Sequence, residues 1–129
     1  MNKLLPIKTE NAPAAIGPYS QAIKAKDLIF ISGQIPLDPS SMMVVKGGIE
    51  QQTYQVFKNL ISVADASDSS IDNSIKLTIY LTNLENFSIV NEIMKKFFSS
   101  PYPARATVEV SRLPKNVSIE IDAILSVSN

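Results

Sequence analysis

The chain carries PYPARATVEV at residues 101 to 110 and VSIEIDAIL at residues 117 to 125, and these two stretches decide the fold. In the first, Pro101 and Pro103 fix their own φ and favour extended geometry in the residues before them. The sequence therefore predicts a strand that begins at Arg105 and another strand in the later stretch.

Both stretches alternate apolar and polar side chains, which is the pattern of a strand with two different faces. In the first, Arg105, Thr107 and Glu109 share one face, while Val108 lies on the other with its apolar neighbours. In the second, Glu120 lies on the polar face, away from the isoleucines on either side of it. If the two strands pair, the guanidinium of Arg105 can meet carboxylates.

The length and charge of the chain limit the classes of protein to which it can belong. We expect one domain, residues 1–129, that buries roughly two thirds of its unfolded surface. Lys and Arg residues (12) balance Asp and Glu residues (12) without a basic block, so a nucleic-acid partner is not expected. No apolar run is long enough for a membrane span or a signal peptide, so a cytoplasmic protein is the default expectation.

The residue types that are missing say more about chemistry than the charges do. The sequence contains no Cys, His or Trp, which excludes thiol nucleophiles, imidazole bases and the usual zinc ligand sets. The remaining polar groups favour carboxylate recognition and water-mediated hydrolysis over metal or redox chemistry.

Hydrophobic periodicity divides the chain into strands and two helices. The clearest strand covers residues 74–82, with Ile75, Leu77, Ile79 and Leu81 predicted to point inward. The predicted order is a short strand within residues 1–8 interrupted by Pro6, a hairpin of residues 19–24 and 28–35, a helix at 49–64, the strand at 74–82, a helix at 84–98 and the two strands described first. Two helices cover only one face of such an α+β sheet, so we expect further copies of the chain to bury the other face.

Three further positions each allow a structural and a functional interpretation. Tyr19 either packs its ring against the protein or enters a site. Gly33 marks either a β-bulge alone or a place where a ligand or second backbone comes close. Asn91 lies on the apolar stripe of the second helix, so its amide either bonds a neighbouring backbone group or holds a site.

Several longer segments together resemble one protein family. They are ENAPAAIGPYSQA (10–22), FISGQIPLDP (30–39), IEQQTYQVFKNL (49–60), KLTIYLTNLENFSIVNEIMKKFF (76–98) and PYPARATVEVSRLPKNVSIEIDAI (101–124). In this order, and over nearly the whole chain, they resemble the reactive intermediate deaminase family (RidA, or YjgF-type). The last segment is far more specific than a short motif.

The resemblance implies a chorismate-mutase-like fold, with a sheet of about six strands and two helices on one face. It also implies a homotrimer with sites at the subunit interfaces. The implied activity is hydrolysis of 2-imino acids, formed from enamines such as 2-aminoacrylate, to 2-keto acids and ammonia. These imino and keto acids are the small-molecule partners, and no cofactor or metal is expected.

The same resemblance assigns roles to individual residues. Arg105 binds the substrate carboxylate, and Glu120 orients the attacking water. Tyr19, Gly33 and Asn91 match further site positions.

Some alternatives stay open at this point. Thr107 stands where relatives often have Cys, which changes little if the family uses the backbone there and affects activity if it uses the thiol. Arg105 is also open to a structural role, as a salt bridge to Glu120 or Glu109 inside the oligomer. Two other functions remain: a trimer that binds 2-keto acids without turnover, and RNA cleavage or translational inhibition, which the zero net charge and the lack of His support less well.

Overall fold

The computed structural model describes residues 3 to 128 and contains six strands and two α-helices. In chain order the elements are β1 (Leu4–Ile7), β2 (Ala22–Ala25), β3 (Leu28–Gln34), α1 (Ile49–Ala66), β4 (Ser74–Leu81), α2 (Phe87–Phe97), β5 (Ala104–Glu109) and β6 (Ile119–Ser126). The predicted α+β class is confirmed, because the strands form one mixed sheet and both helices pack on one of its faces.

The order of strands in the sheet is β1-β2-β3-β6-β4-β5. All neighbours are antiparallel except β4 and β5, which are parallel because α2 connects them as a crossover. This crossover places β5 at the edge of the sheet, and β6 enters between β3 and β4. β5 and β6 do not pair, since β4 lies between them, so the condition under which Arg105 could meet carboxylates of β6 within one chain is not met.

The core lies between the sheet and the two helices. Three of the four side chains predicted to point inward from β4, in alternation from Leu77 to Leu81, are fully buried there. The prediction for the fourth is wrong, because Ile75 is 45% exposed. The register between β4 and β6 shifts between Ser74 and Lys76, so the alternation breaks at this position.

The opposite face of the sheet, here called the open face, carries both polar and apolar side chains. Tyr80 and Glu120 lie on it as cross-strand partners. Phe30 is 43% exposed and Val108 is 41% exposed on the same face.

Three element boundaries differ from the sequence prediction. β1 runs through Pro6 without a break, because an edge strand tolerates a residue that lacks an N–H donor. The second helix begins with a 3₁₀ turn at Leu84–Asn86. The first helix continues to Ala66 and needs no glycine, since the amide and hydroxyl of Ser67 both donate to the carbonyl of Val63. Neither α-helix in the described part is long and apolar enough to cross a membrane.

Candidate functional site

Arg105 projects from edge strand β5 on the side of the sheet that carries the helices, where its partner on β4 is Leu77. Helix α2 holds its guanidinium. Its Nη1 donates to Oδ1 of Asn91 and lies 3.7 Å from Sδ of Met94. The guanidinium carbon lies 5.0 Å from the centre of the Phe87 ring, a cation–π distance. Phe87, Asn91 and Met94 lie on one face of α2, so this face of the helix holds the arginine side chain in place.

The side-chain amide of Asn91, a polar group on the apolar stripe of α2, has Arg105 as its hydrogen-bond partner. Asn91 bonds the arginine side chain, and no bond from its side chain to a backbone group is found in the described chain. Within the described residues of one chain Arg105 forms no salt bridge, and the alternative of a salt bridge to Glu120 or Glu109 inside the oligomer stays open. Between residues 3 and 128 the one ion pair is Lys95–Glu92, and Glu109 accepts from the amide of Leu84 instead.

Arg105 therefore keeps an unneutralised positive charge at the surface. It opens onto a cleft of about 550 Å³ that Asn91, Met94, Tyr102 and Pro103 also line. A guanidinium has five N–H donors, so its bond to Asn91 leaves others free. The cleft is thus suited to an anion, and a carboxylate matches the planar fork of the arginine best.

Thr107 lies two residues beyond Arg105 on the same side of β5, opposite Ile79. Its Oγ1 is buried and has no hydrogen-bond partner among the described residues. A buried hydroxyl without a partner costs about 1 to 3 kcal/mol. This side of the strand therefore holds a second polar group, whose hydroxyl is unpaired within the described chain.

Glu120 lies on the open face, and its side chain passes directly over Gly33. A Cβ atom added to Gly33 would lie 2.9 Å from Cδ of Glu120 and closer still to its Oε2. The register of β3 also shifts between Ile31 and Gln34. Gly33 therefore lies at an irregularity of β3, as the first interpretation predicts, and the close neighbour that requires a glycine here is the side chain of Glu120. The approach of a ligand or second backbone stays a prediction.

The surroundings of Glu120 alter its acidity. Burial raises the pKa of this half-buried carboxyl, and the nearby negative charge of Asp122 raises that pKa further. Glu120 opens onto a cleft of about 490 Å³ together with Gly33, Tyr19 and Lys115. A carboxylate with a raised pKa is a stronger base than an ordinary glutamate, as a general base requires.

Tyr19 lies in the loop before β2, not within the strand predicted from residue 19 onward. It is 52% exposed and its ring lies beside Gly17, so it is not a core tyrosine. The loop is fixed by Gln21, which sequence reasoning missed. Its amide nitrogen donates to the carbonyls of Thr9 and Pro13, and its Oε1 accepts from the amide of Thr9. A polar residue at the start of an apolar strand was the available signal.

The candidate residues thus fall into two groups, which we call the Arg105 half-site (Asn91, Arg105 and Thr107) and the Glu120 half-site (Tyr19, Gly33 and Glu120). The first lies on the helix side of the sheet and the second on the open face, with β4 between their strands. One copy of the chain therefore does not bring Arg105 and Glu120 together. Across residues 3–128, no group of three or more acidic side chains is arranged to hold a metal ion.

Comparisons with known proteins place the chain in a family. Residues 9–127 match the family model described as Endoribonuclease L-PSP. A RutC family protein of Pyrococcus horikoshii is 52% identical over 118 residues, which is 92% of this chain and 94% of that protein. The 2-iminobutanoate/2-iminopropanoate deaminase of Homo sapiens is 45% identical over 118 residues, 92% of this chain and 86% of that protein. The crystal structure of E. coli TdcF with bound serine matches with a TM-score of 0.90 and 36% identity, over 96% of this chain and 99% of that one.

Fold and site together define a small α+β protein whose single sheet carries a cleft lined by Arg105 on one side and a carboxylate of raised pKa, that of Glu120, on the other. The chain belongs to the Endoribonuclease L-PSP family, which is the YjgF/RidA family. The resemblance read from its sequence segments is thereby confirmed.

Proposed function

We propose that this protein hydrolyses reactive 2-imino acids to 2-keto acids and ammonia, at sites where neighbouring subunits of a homotrimer meet. The separation of the two half-sites carries the proposal. In the described chain, a guanidinium without a carboxylate partner lies on one side of the sheet and a basic carboxylate on the other. A neighbouring copy supplies the half that each side lacks. The deaminase name of the human relative supports this chemistry.

Arg105 binds the α-carboxylate of the substrate. Two parallel N–H donors grip the carboxylate and thereby orient the C=N carbon next to it. Asn91 and the ring of Phe87 hold the plane of the guanidinium before the substrate arrives. Thr107 supplies a further hydrogen-bonding group on the same side of the strand.

Glu120 acts on the water. It takes a proton as the water oxygen bonds to the imine carbon, and the electron pair of the C=N bond moves to nitrogen. The nitrogen then receives that proton from Glu120. The hydroxyl proton then passes through Glu120 to the nitrogen, so the carbonyl of the keto acid forms as the C–N bond breaks and ammonia leaves. The imine is already electrophilic, so positioning of the substrate and proton transfers through one carboxylate are sufficient.

The first prediction concerns assembly. The open face carries exposed Phe30 and Val108, and we expect three copies of the chain to bury this face together. Light scattering of the purified protein should give a mass about three times 14.1 kDa. A well-behaved monomer at micromolar concentration would contradict both the assembly and the shared site.

The second prediction concerns Gly33. A Gly33→Ala variant should keep its fold, because the added methyl meets the flexible end of a side chain, but Glu120 must move away from its present position. We expect a loss of activity of about tenfold. Gly48→Ala is the matched control, since nothing lies within 4 Å of the added atom. A Gly33→Ala protein with parental activity would show that the position of Glu120 is unimportant.

The activity itself is tested by forming an imino acid in the cuvette with an amino-acid oxidase and following its disappearance. We expect the protein to accelerate hydrolysis over buffer, and Arg105→Ala to lose that acceleration. Binding of 2-keto acids without acceleration would instead identify a carboxylate-binding trimer. RNA is incubated in parallel because of the name of the family model, and we expect no cleavage from a chain of formal net charge +0.

A further inference from the structure

A hydrogen-bonded pair lies beside Glu120 on the open face. Tyr80 of β4 is directly opposite Glu120 of β6, and Asp122 is two residues beyond Glu120 on the same face. The hydroxyl of Tyr80 donates to Oδ2 of Asp122 at 3.0 Å. A tyrosine can reach a diagonal neighbour across an antiparallel pair, so the bond spans the space next to Glu120. It fixes the Asp122 carboxylate on the sheet.

We propose that Tyr80 is a positioning residue, which holds the Asp122 carboxylate beside Glu120 and so makes Glu120 a better proton acceptor. The inference rests on the proposed function, in which Glu120 is the base. Without the Tyr80 hydroxyl, the short side chain of Asp122 is free to turn towards water. Its repulsion of the ionised form of Glu120 then weakens.

The pKa shifts of Tyr80 and Glu120 agree with this geometry. The pKa of Glu120 is raised by burial first and by the charge of Asp122 second. The pKa of Tyr80 is raised by its bond to Asp122 first, then by burial and by the charges of Asp122 and Glu120. The charge of Asp122 thus acts on both Tyr80 and Glu120, as expected of groups that share one small patch of the sheet.

Other groups also face Glu120, and the test leaves them in place. On the β3 side lie Gly33 and Ser32, which carry no charge. Tyr19 and Lys115 line the same cleft. In the proposed trimer, Arg105 of the partner subunit adds a positive charge. Since Lys115 and this arginine oppose the effect of Asp122, the test compares variants that keep both cations.

The test compares three variants of the full-length protein: Tyr80→Phe, Asp122→Asn and the double variant. The carboxyl carbon of Glu120 is followed by ¹³C NMR during a pH titration and is assigned by its absence from Glu120→Gln. We expect the Glu120 midpoint to fall in Asp122→Asn, and to fall by a smaller amount in Tyr80→Phe. The double variant should match Asp122→Asn, because Tyr80 acts through Asp122. The acid limb of the pH–activity profile should move in the same direction.

Tyr54→Phe is the matched control, since this hydroxyl accepts from Lys96 on the helix side and is remote from Glu120. It should leave the midpoint unchanged. A parental midpoint in Tyr80→Phe would overturn the proposal, and so would a parental midpoint in Asp122→Asn if Tyr80→Phe fails to fold. The titration needs no turnover, so it tests the role of Tyr80 separately from the proposed imine hydrolysis. Absence of imine hydrolysis by the parent would contradict the proposed function alone.

Discussion

Glu120→Gln is expected to lose turnover while it keeps its affinity for 2-keto acids. Glutamine retains the size of the side chain and some of its hydrogen bonds but cannot take a proton from water. A general base contributes about 10²-fold or more to a rate, so we expect kcat to fall by about 100-fold. Affinity should change little, because the proposed carboxylate-binding group is Arg105 on the other half-site. The imine assay and a keto-acid titration measure the two effects separately.

The remaining activity of Glu120→Gln also reports on mechanism. Burial and Asp122 raise the pKa of Glu120, so the parent should lose activity on acidification at a higher pH than an ordinary glutamate would allow. The variant should lack this acid limb. Glu85→Gln, at an exposed position, should behave as the parent in both respects. A trimeric Glu120→Gln protein that deaminates at the parental rate would remove Glu120 from the mechanism.

Arg105 variants should lose affinity for 2-keto acids, in contrast to Glu120→Gln, which should lose turnover. Arg105→Ala removes charge-assisted hydrogen bonds worth about 1.5 to 3 kcal/mol, which corresponds to roughly 10- to 100-fold weaker binding of 2-ketobutyrate. Arg105→Lys restores the charge but not the planar fork, so it should recover only part of the loss. Calorimetric titration of each variant gives the affinities directly.

The lysine variant is the sharper of the two experiments. In the parent, Asn91 and Phe87 hold the planar guanidinium through a hydrogen bond and a cation–π contact. A lysine ammonium is not planar, so it cannot make both contacts in the same way. Arg112→Lys is the matched control, because Arg112 is exposed and its contact, at 3.5 Å, is with Asn116. If Arg105→Lys bound 2-ketobutyrate as tightly as the parent, the two-pronged contact would be the wrong account.

Much of the fold could be predicted from local patterns. The alternation from Leu77 to Leu81 determined which face of β4 is buried, because each side chain there follows the strand period. The exposed Ile75 escaped prediction for the same reason: a register shift breaks the period without any change in the kind of residue. Helix ends were also difficult, since Ser67 ends α1 through its hydroxyl where a glycine is more usual.

The relation between the half-sites could not be predicted from the residues of one chain. Alternation places Arg105 and Glu120 on the polar side of their own strands, but it does not say which strand lies between them. On β4, Arg105 pairs with the buried Leu77 and Glu120 pairs with Tyr80 of the opposite face, and so Glu120 faces away from Arg105. Strand order depends on pairing between distant segments, which local periodicity does not encode. For Gly33 the pattern break was visible, yet the neighbour that requires it appears only in three dimensions.

The most direct test of the shared site is complementation between two inactive variants, Arg105→Ala and Glu120→Gln. The two are unfolded together in equal amounts and refolded so that subunits mix. In a mixed trimer, one interface of the three receives Arg105 and Glu120 both intact, so random mixing should restore about a quarter of the parental activity. Each variant refolded alone should remain inactive. If the mixed trimers are no more active than the two variants measured separately, Arg105 and Glu120 do not meet across an interface and the account of the site is wrong.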